Sequence, residues 1–200
     1  MTFSSKLKEE ITGLEGNQIE KRAELSAILR YDAKITKEKV TITSENAKIA
    51  RRIYSYLKEV FGINIKIIIR NQKRFRVKQI YILEIKEKLS SILEALYIYE
   101  NGKKIKANEE YYEAFEEKVA YLKGTFLTTG SINDPSTSGY HLEFAFLTKT
   151  DADFIKKLLK SLNLEAKVLK RNNRYITYIK SAEAISDLIK MFNAIHSLFY

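Results

Sequence analysis

Few side chains in this 200-residue chain have the type and spacing that chemistry demands. There is no cysteine, which excludes disulfides, thiolate metal sites and cysteine nucleophiles together and suits a reducing, intracellular setting. His141 and His196, the two histidines, lie far apart in no metal-ligand spacing. His141 opens an expected strand, where a cross-strand or surface role fits better than catalysis. Ser131 has no neighbouring His or Asp and no nucleophile-elbow motif, and Gly62, Gly124 and Gly130 form no phosphate-cradling pattern. What remains is one acid, Asp32, at the end of a helical stretch, and a set of clustered cations. A carboxylate there could ligate a hard cation through oxygen. Asp also opposes the helix dipole at a C-terminus, while being common in the turn that follows, so a turn or surface role is the competing reading.

The cations are numerous and unevenly placed. Lys+Arg number 35 against 25 Asp+Glu, a net charge of +10, which points to a polyanionic partner such as nucleic acid. A generally lysine-rich composition would give the same total, so location has to decide. The run "RNQKRFRVK" carries Arg70, Lys73, Arg74, Arg76 and Lys78, and "KRNNR" carries Lys170, Arg171 and Arg174. Both look like hairpin tips. Lys66 and Arg70 in one strand match Lys167 and Arg171 in another, on the face opposite Ile65, Ile67 and Ile69. Arg70, Arg74, Arg76 and Arg171 are the base-edge candidates; Lys66, Lys73, Lys78, Lys167 and Lys170 are candidate phosphate contacts. Charged tips that merely block edge-to-edge strand pairing would read the same way. Arg51 and Arg52 are expected to be solvated.

The elements that must position these groups occur twice. "AELSAILRYDAKI" (23–35) overlays "AYLKGTFLTTGSI" (120–132), and "FGINIKIIIRNQKRF" (61–75) overlays "LNLEAKVLKRNNRY" (162–175). Further on, the offset of the first overlay, 23 to 120, returns and sets Tyr81 on Tyr178 and Ile92 on Ile189. Each copy reads as helix (18–31; 111–129), strand (39–43; 140–147), helix opened by a polar cap (Ser44 for 45–61; Thr150 for 151–162), hairpin (63–70 with 79–85; 164–170 with 174–180) and closing helix (86–98; 181–195). An opening helix starts at Ser4 and Ser5 as caps. The fold class is α+β: an N-terminal helix and first repeat over 1–98, a polar linker over 99–112, and a second repeat over 113–200. Tyr111, Tyr112, Phe115, Val119 and Leu122 recur at helical spacing and are expected as core on the second repeat's first helix. Within that helix Gly124 costs about 1 kcal/mol relative to Ala. It falls on Ala27 of the first copy, beside Ser26, so the two helices are expected to meet backbone to backbone there. The same overlay puts Thr129 on Asp32: the acid is present once, not twice.

Two helices with small residues at their centre, each followed by strand–helix–hairpin–helix, resemble the LAGLIDADG homing-endonuclease fold, with motif copies "LSAILRYDAK" (25–34) and "LKGTFLTTGS" (122–131). "FSSKLKEEI", "KRAELSAILR", "TSENAKIARRIYSYLKEVFG", "YLKGTFLTTGSINDP" and "YHLEF" narrow the resemblance to the N-terminal region of the WhiA regulators, over nearly the whole chain. The resemblance implies two pseudo-symmetric repeats with the motif helices packed at a central seam and antiparallel sheets forming a saddle over double-stranded DNA. It implies a further C-terminal helix-turn-helix domain, which this chain, stopping at Tyr200, lacks. Nucleases of this fold use one acid from each motif helix to hold divalent metals. With Asp32 and Thr129 at those positions, and Asp134 beyond the helix end, the resemblance implies a fold without cleavage and without cofactor. The implied role is that of a nucleoid-associated regulator of cell division, chromosome segregation and sporulation; the composition points to a cytoplasmic setting, and the duplication, which already supplies a pseudo-dimer, to a monomer. It would contact DNA weakly itself or through the missing domain, and could contact a protein partner. The alternatives are an active metal-dependent nuclease and a pure protein- or ligand-binding scaffold.

Overall fold

The computed structural model describes residues 1–73 and 78–199. The chain begins with α1 (Phe3–Thr12). The first repeat then runs α2 (Gln18–Asp32), β1 (Lys34–Ile35), β2 (Val40–Ser44), α3 (Ala47–Phe61), β3 (Lys66–Gln72), β4 (Lys78–Ile85) and α4 (Leu89–Ala95). A small ribbon, β5 (Tyr99–Glu100) with β6 (Lys103–Lys104), and a 3-10 turn at Glu109–Tyr111 lead to the second repeat. This comprises α5 (Phe115–Thr129), β7 (Gly130–Ile132), the short α6 (Pro135–Ser138), β8 (Leu142–Phe146), α7 (Lys149–Ser161), β9 (Lys167–Arg171), β10 (Arg174–Ile179) and α8 (Ala182–Met191). The two antiparallel sheets have equivalent orders, β1-β2-β4-β3 and β7-β8-β10-β9. The strand that leaves each seam helix is the inner edge, and the hairpin strand β3 or β9 is the outer edge.

The seam is α2 against α5. An added Cβ on Gly124 would run into the Glu24 carbonyl oxygen and lie 3.1 Å from the Ala27 Cβ. Glycine is therefore required here by close approach, with its φ not in the left-handed region. Ser26 is buried too, but its hydroxyl works sideways: it donates to the Leu96 carbonyl at 2.6 Å and meets the Tyr112 hydroxyl, tying the linker to α2. Tyr31 and Tyr121 join hydroxyls across the seam at 2.7 Å. Tyr121 is fully buried and Tyr31 partly so, and the loss of hydration pushes both phenol pKa values up and keeps them neutral.

Several local expectations are corrected. The α1 cap is Thr2, whose hydroxyl accepts from the Ser5 N–H. Asn46, not Ser44, caps α3, and Thr148, not Thr150, caps α7, because those side chains reach the amide groups of the first turn. Tyr111 and Tyr112 precede α5; Tyr112 is buried against Tyr121, while Phe115, the first residue of α5, is 51% exposed. Arg52 is not solvated: it is 7% exposed, held by Glu24 at 2.7 Å and by the Thr12 and Leu14 carbonyls, and lies over the Tyr56 ring. Finally, strand pairing sets Tyr81 opposite Ser44 and Ile69, and Tyr175 opposite Phe146 and Lys170. Tyr81 thus corresponds to Tyr175, not to Tyr178, because the second hairpin is shorter.

Candidate nucleic-acid interface

Strand parity decides which cations share a surface, since successive side chains point to opposite faces. In the first sheet Val40, Ile42, Leu83 and Ile85 are buried, so their face meets the helices. The register puts Lys66 beside Glu84, Ile68 beside Ile82, and Arg70 beside Ile80 on the other face, together with Lys78. In the second sheet Leu142, Phe144, Phe146, Thr177 and Ile179 form the buried face. Lys167 beside Tyr178, Leu169 beside Ile176, and Arg171 beside Arg174 occupy the helix-free face. The trio Lys66–Ile68–Arg70 therefore has a register-matched counterpart in Lys167–Leu169–Arg171, one on each outer edge of the two sheets.

The other candidates separate. Lys170 turns to the helix side, with its ammonium 5.7 Å from the Tyr175 ring centre. Lys78 is 3.6 Å from Glu45. Lys73 follows β3 and is exposed, and Arg74 and Arg76 lie outside the described residues. Ile67 and Ile69 share the helix-side face, yet are 47% and 58% exposed, because the hairpin extends past the helices that cover its base. The helix-free faces also carry acid. Glu143 accepts from Arg171 Nη1 at 3.0 Å and sits 2.8 Å from His141 Nε2; the His141 ring stacks on Tyr178 at 5.5 Å. Glu84 lies 3.4 Å from Lys39. Arg171 and Arg174 stand directly opposite each other, a like-charge pair that costs stability unless an anion lies between or beside them. Glu143 supplies one such anion.

At the seam the C-terminal ends of α2 and α5 open on one cavity of about 410 Å³, lined by Ser5, Lys8, Asp32, Thr43, Asn46 and Thr128 among others. Its wall is mostly polar. Asp32 is reached by solvent but stands in a concavity crowded by protein, and this loss of hydration pushes its carboxyl up to about 6, against the pull of Lys8. Burial moves Lys8 the other way, down, with Asp32 opposing. Thr129, the position matching Asp32, spends its hydroxyl on the Thr125 carbonyl at 2.8 Å. Asp134 is the cap of α6, and its hydrogen bonds from Ser136 hold its carboxyl below the usual range. One carboxylate, a threonine and an ammonium do not fit a pair of divalent ions, which need carboxylate oxygens from both helices. Among the described residues no group of three His, Asp or Glu side chains is placed to hold a metal, and no helix is long and apolar enough to cross a membrane.

Sequence reasoning missed Lys8. It lies on α1, outside the duplicated units, so no internal comparison could pair it with a site. Arg52 did leave a signal: Ile49, Arg52, Ile53 and Tyr56 follow helical spacing, so Arg52 sits on the buried stripe of α3.

Two helices in backbone contact, each feeding the inner strand of an antiparallel sheet with a charged outer hairpin, define the two-repeat LAGLIDADG architecture. Solved structures agree. The chain resembles the N-terminal LAGLIDADG domain of DUF199/WhiA with a TM-score of 0.74 at 21% identity, over 96% of this chain and 90% of that one. It also resembles I-DmoI in complex with DNA and Mn, with a TM-score of 0.55 at 18% identity, over 92% and 99%. Residues 18–99 match the WhiA N-terminal LAGLIDADG-like domain, and residues 118–200 match the WhiA LAGLIDADG-like domain. The probable cell division protein WhiA of Bacillus cereus (strain B4264) is 37% identical over 204 residues, covering 99% of this chain and 65% of that protein. The chain belongs to the WhiA family and spans just under two thirds of the length of the curated relatives it matches, 64% and 65% for the two compared first.

Proposed function

We propose that this chain is a DNA-associated, non-cleaving domain of a WhiA-type regulator of cell division, chromosome segregation and, in spore formers, sporulation. The observation that carries this reading is the pair of register-matched trios, Lys66–Ile68–Arg70 and Lys167–Leu169–Arg171, on the helix-free faces. Cations that only protected sheet edges would not need to share one face in both halves. Aliphatic residues between them give van der Waals contact with sugar and base, while the ammonium and guanidinium groups meet phosphate and base edges. The arrangement lacks the means to cut. Phosphodiester hydrolysis in this fold needs a carboxylate from each motif helix, and here Thr129 takes the second position. Contact is weak, because Glu143 already holds Arg171 and a phosphate must displace it.

The test is binding of a fluorescent duplex of about 30 base pairs, long enough to span both hairpins, across a salt series with Mg²⁺ present and the product resolved on a gel. Affinity should fall steeply with salt, and the slope should drop by roughly one for each of Arg70→Ala and Arg171→Ala. A cut product would restore the nuclease reading. No duplex bound at any salt concentration would favour a scaffold instead. For that second reading, exposed Ile19 and Phe115 at the N-terminal ends of the seam helices, beside a cavity of about 440 Å³ containing Tyr97 and Tyr111, offer an apolar contact surface.

A further inference from the structure

α1 lies outside both repeats, yet it delivers a cation to the base of the seam. Lys8 lines the cavity that holds Asp32 and Thr128, with its ammonium 5.6 Å from the Phe126 ring centre, one helical turn before Thr129 on α5. Among the described residues no hydrogen bond or ion pair fixes that ammonium, and none donates to the Asp32 carboxylate. A cation and an anion thus face a polar cavity without being joined. The cavity also reaches Thr43, whose side chain the register puts on the helix-free face with Ile82. Its far rim, Glu45, is 3.6 Å from Lys78 at the root of the first hairpin tip. The cavity is therefore continuous with the surface that carries the cation trios.

We infer that Lys8 is the central phosphate contact of this surface, an ammonium built into the base of the seam beside Asp32 and Thr128. Asp32 is then a restraint on that contact: it keeps Lys8 from holding phosphate tightly and repels the phosphate itself. An ammonium offers positive charge and three donors to a phosphodiester, but it cannot polarise water for attack as a metal does. This inference rests on the DNA-associated reading above.

The test is the duplex salt series repeated without divalent cations, in EDTA, on the full chain and on Lys8→Met, Lys8→Arg, Asp32→Asn and Arg70→Ala. Lys8→Met should lower the salt slope by about one, Lys8→Arg should keep it, and Asp32→Asn should raise affinity by about tenfold as a like-charge repulsion is removed. If Arg70→Ala lowers the slope but Lys8→Met does not, the interface stands and the inference falls, leaving Lys8 as a counter-ion only. If Asp32→Asn weakens binding, the restraint is refuted. If the wild-type chain binds no duplex, both readings fail together. Should Lys8→Met not fold, as judged by circular dichroism, Lys8→Gln replaces it: a slope lowered by about one supports the contact, and an unchanged slope overturns it.

Discussion

Gly124→Ala sets two effects of opposite sign against each other. Alanine is the better helix former by about 1 kcal/mol, and α5 is helical on both sides of this position. At an open helix site the substitution would stabilise. Here the new methyl group would collide with the Glu24 carbonyl oxygen, a backbone atom in the middle of α2 that no rotamer change can move. Glu24 is also held through its side chain by Arg52 at 2.7 Å. Relief requires the two seam helices to separate, and overpacking of this kind costs about 1–3 kcal/mol. The rigid obstacle sets the cost at the upper end, ~2–3 kcal/mol, so the net loss is about 1–2 kcal/mol after propensity is credited. For a chain of this length that is a fall in Tm of roughly 2–8 °C. Thermal unfolding followed by circular dichroism measures it, and urea unfolding with an unchanged m value would confirm that stability alone moved. Adding Ala27→Gly, which deletes the methyl group 3.1 Å away, should not restore stability, because the main obstruction is the Glu24 backbone. A rise in Tm for Gly124→Ala, or full rescue by Ala27→Gly, would refute this account of the seam.

Glu24→Ala leaves the Arg52 guanidinium buried without its counter-charge and should cost about 3–5 kcal/mol, read as a shift in urea midpoint. Tyr31→Phe removes one of two bonded hydroxyls and strands the buried Tyr121 hydroxyl, a loss of about 1–3 kcal/mol in the same assay. Asp32→Asn should stabilise at neutral pH. The carboxyl titrates at about 6 in the folded chain against an ordinary value of 3.8, so ionisation is disfavoured by folding, and the penalty grows as pH rises from about 4 to about 6. The Tm advantage of Asp32→Asn should therefore be present at pH 7.5 and vanish below about pH 4, reduced in size because solvent reaches the group. An advantage that persists at pH 4 would show a packing effect instead of a charge effect.

The repeat was legible because duplication leaves paired patterns in the sequence, and the seam was legible because only close helix approach explains a glycine in mid-helix opposite Ala27. Alternation correctly grouped Lys66 with Arg70 and Lys167 with Arg171. Lys170 joined the tip cluster by proximity in sequence, whereas parity turns it to the helix side. The repeat offset failed at Tyr81 and Tyr178, because it was carried across hairpins of unequal length. Caps were misplaced by two residues at Ser44 and Thr150, since any of several neighbouring polar side chains can serve and only φ/ψ geometry selects one.

The sequence by itself determined the class of fold, the match of a single acid, Asp32, with Thr129 and the symmetric placement of the outer cations, all properties of local period and internal comparison. Only the tertiary structure decided where charge is spent. It buried Arg52 on Glu24, tied Arg171 to Glu143, and brought Lys8 from an unduplicated helix to Asp32. Electrostatic interaction depends on distance and on exclusion of water, and neither can be read along a chain when the partners lie tens of residues apart.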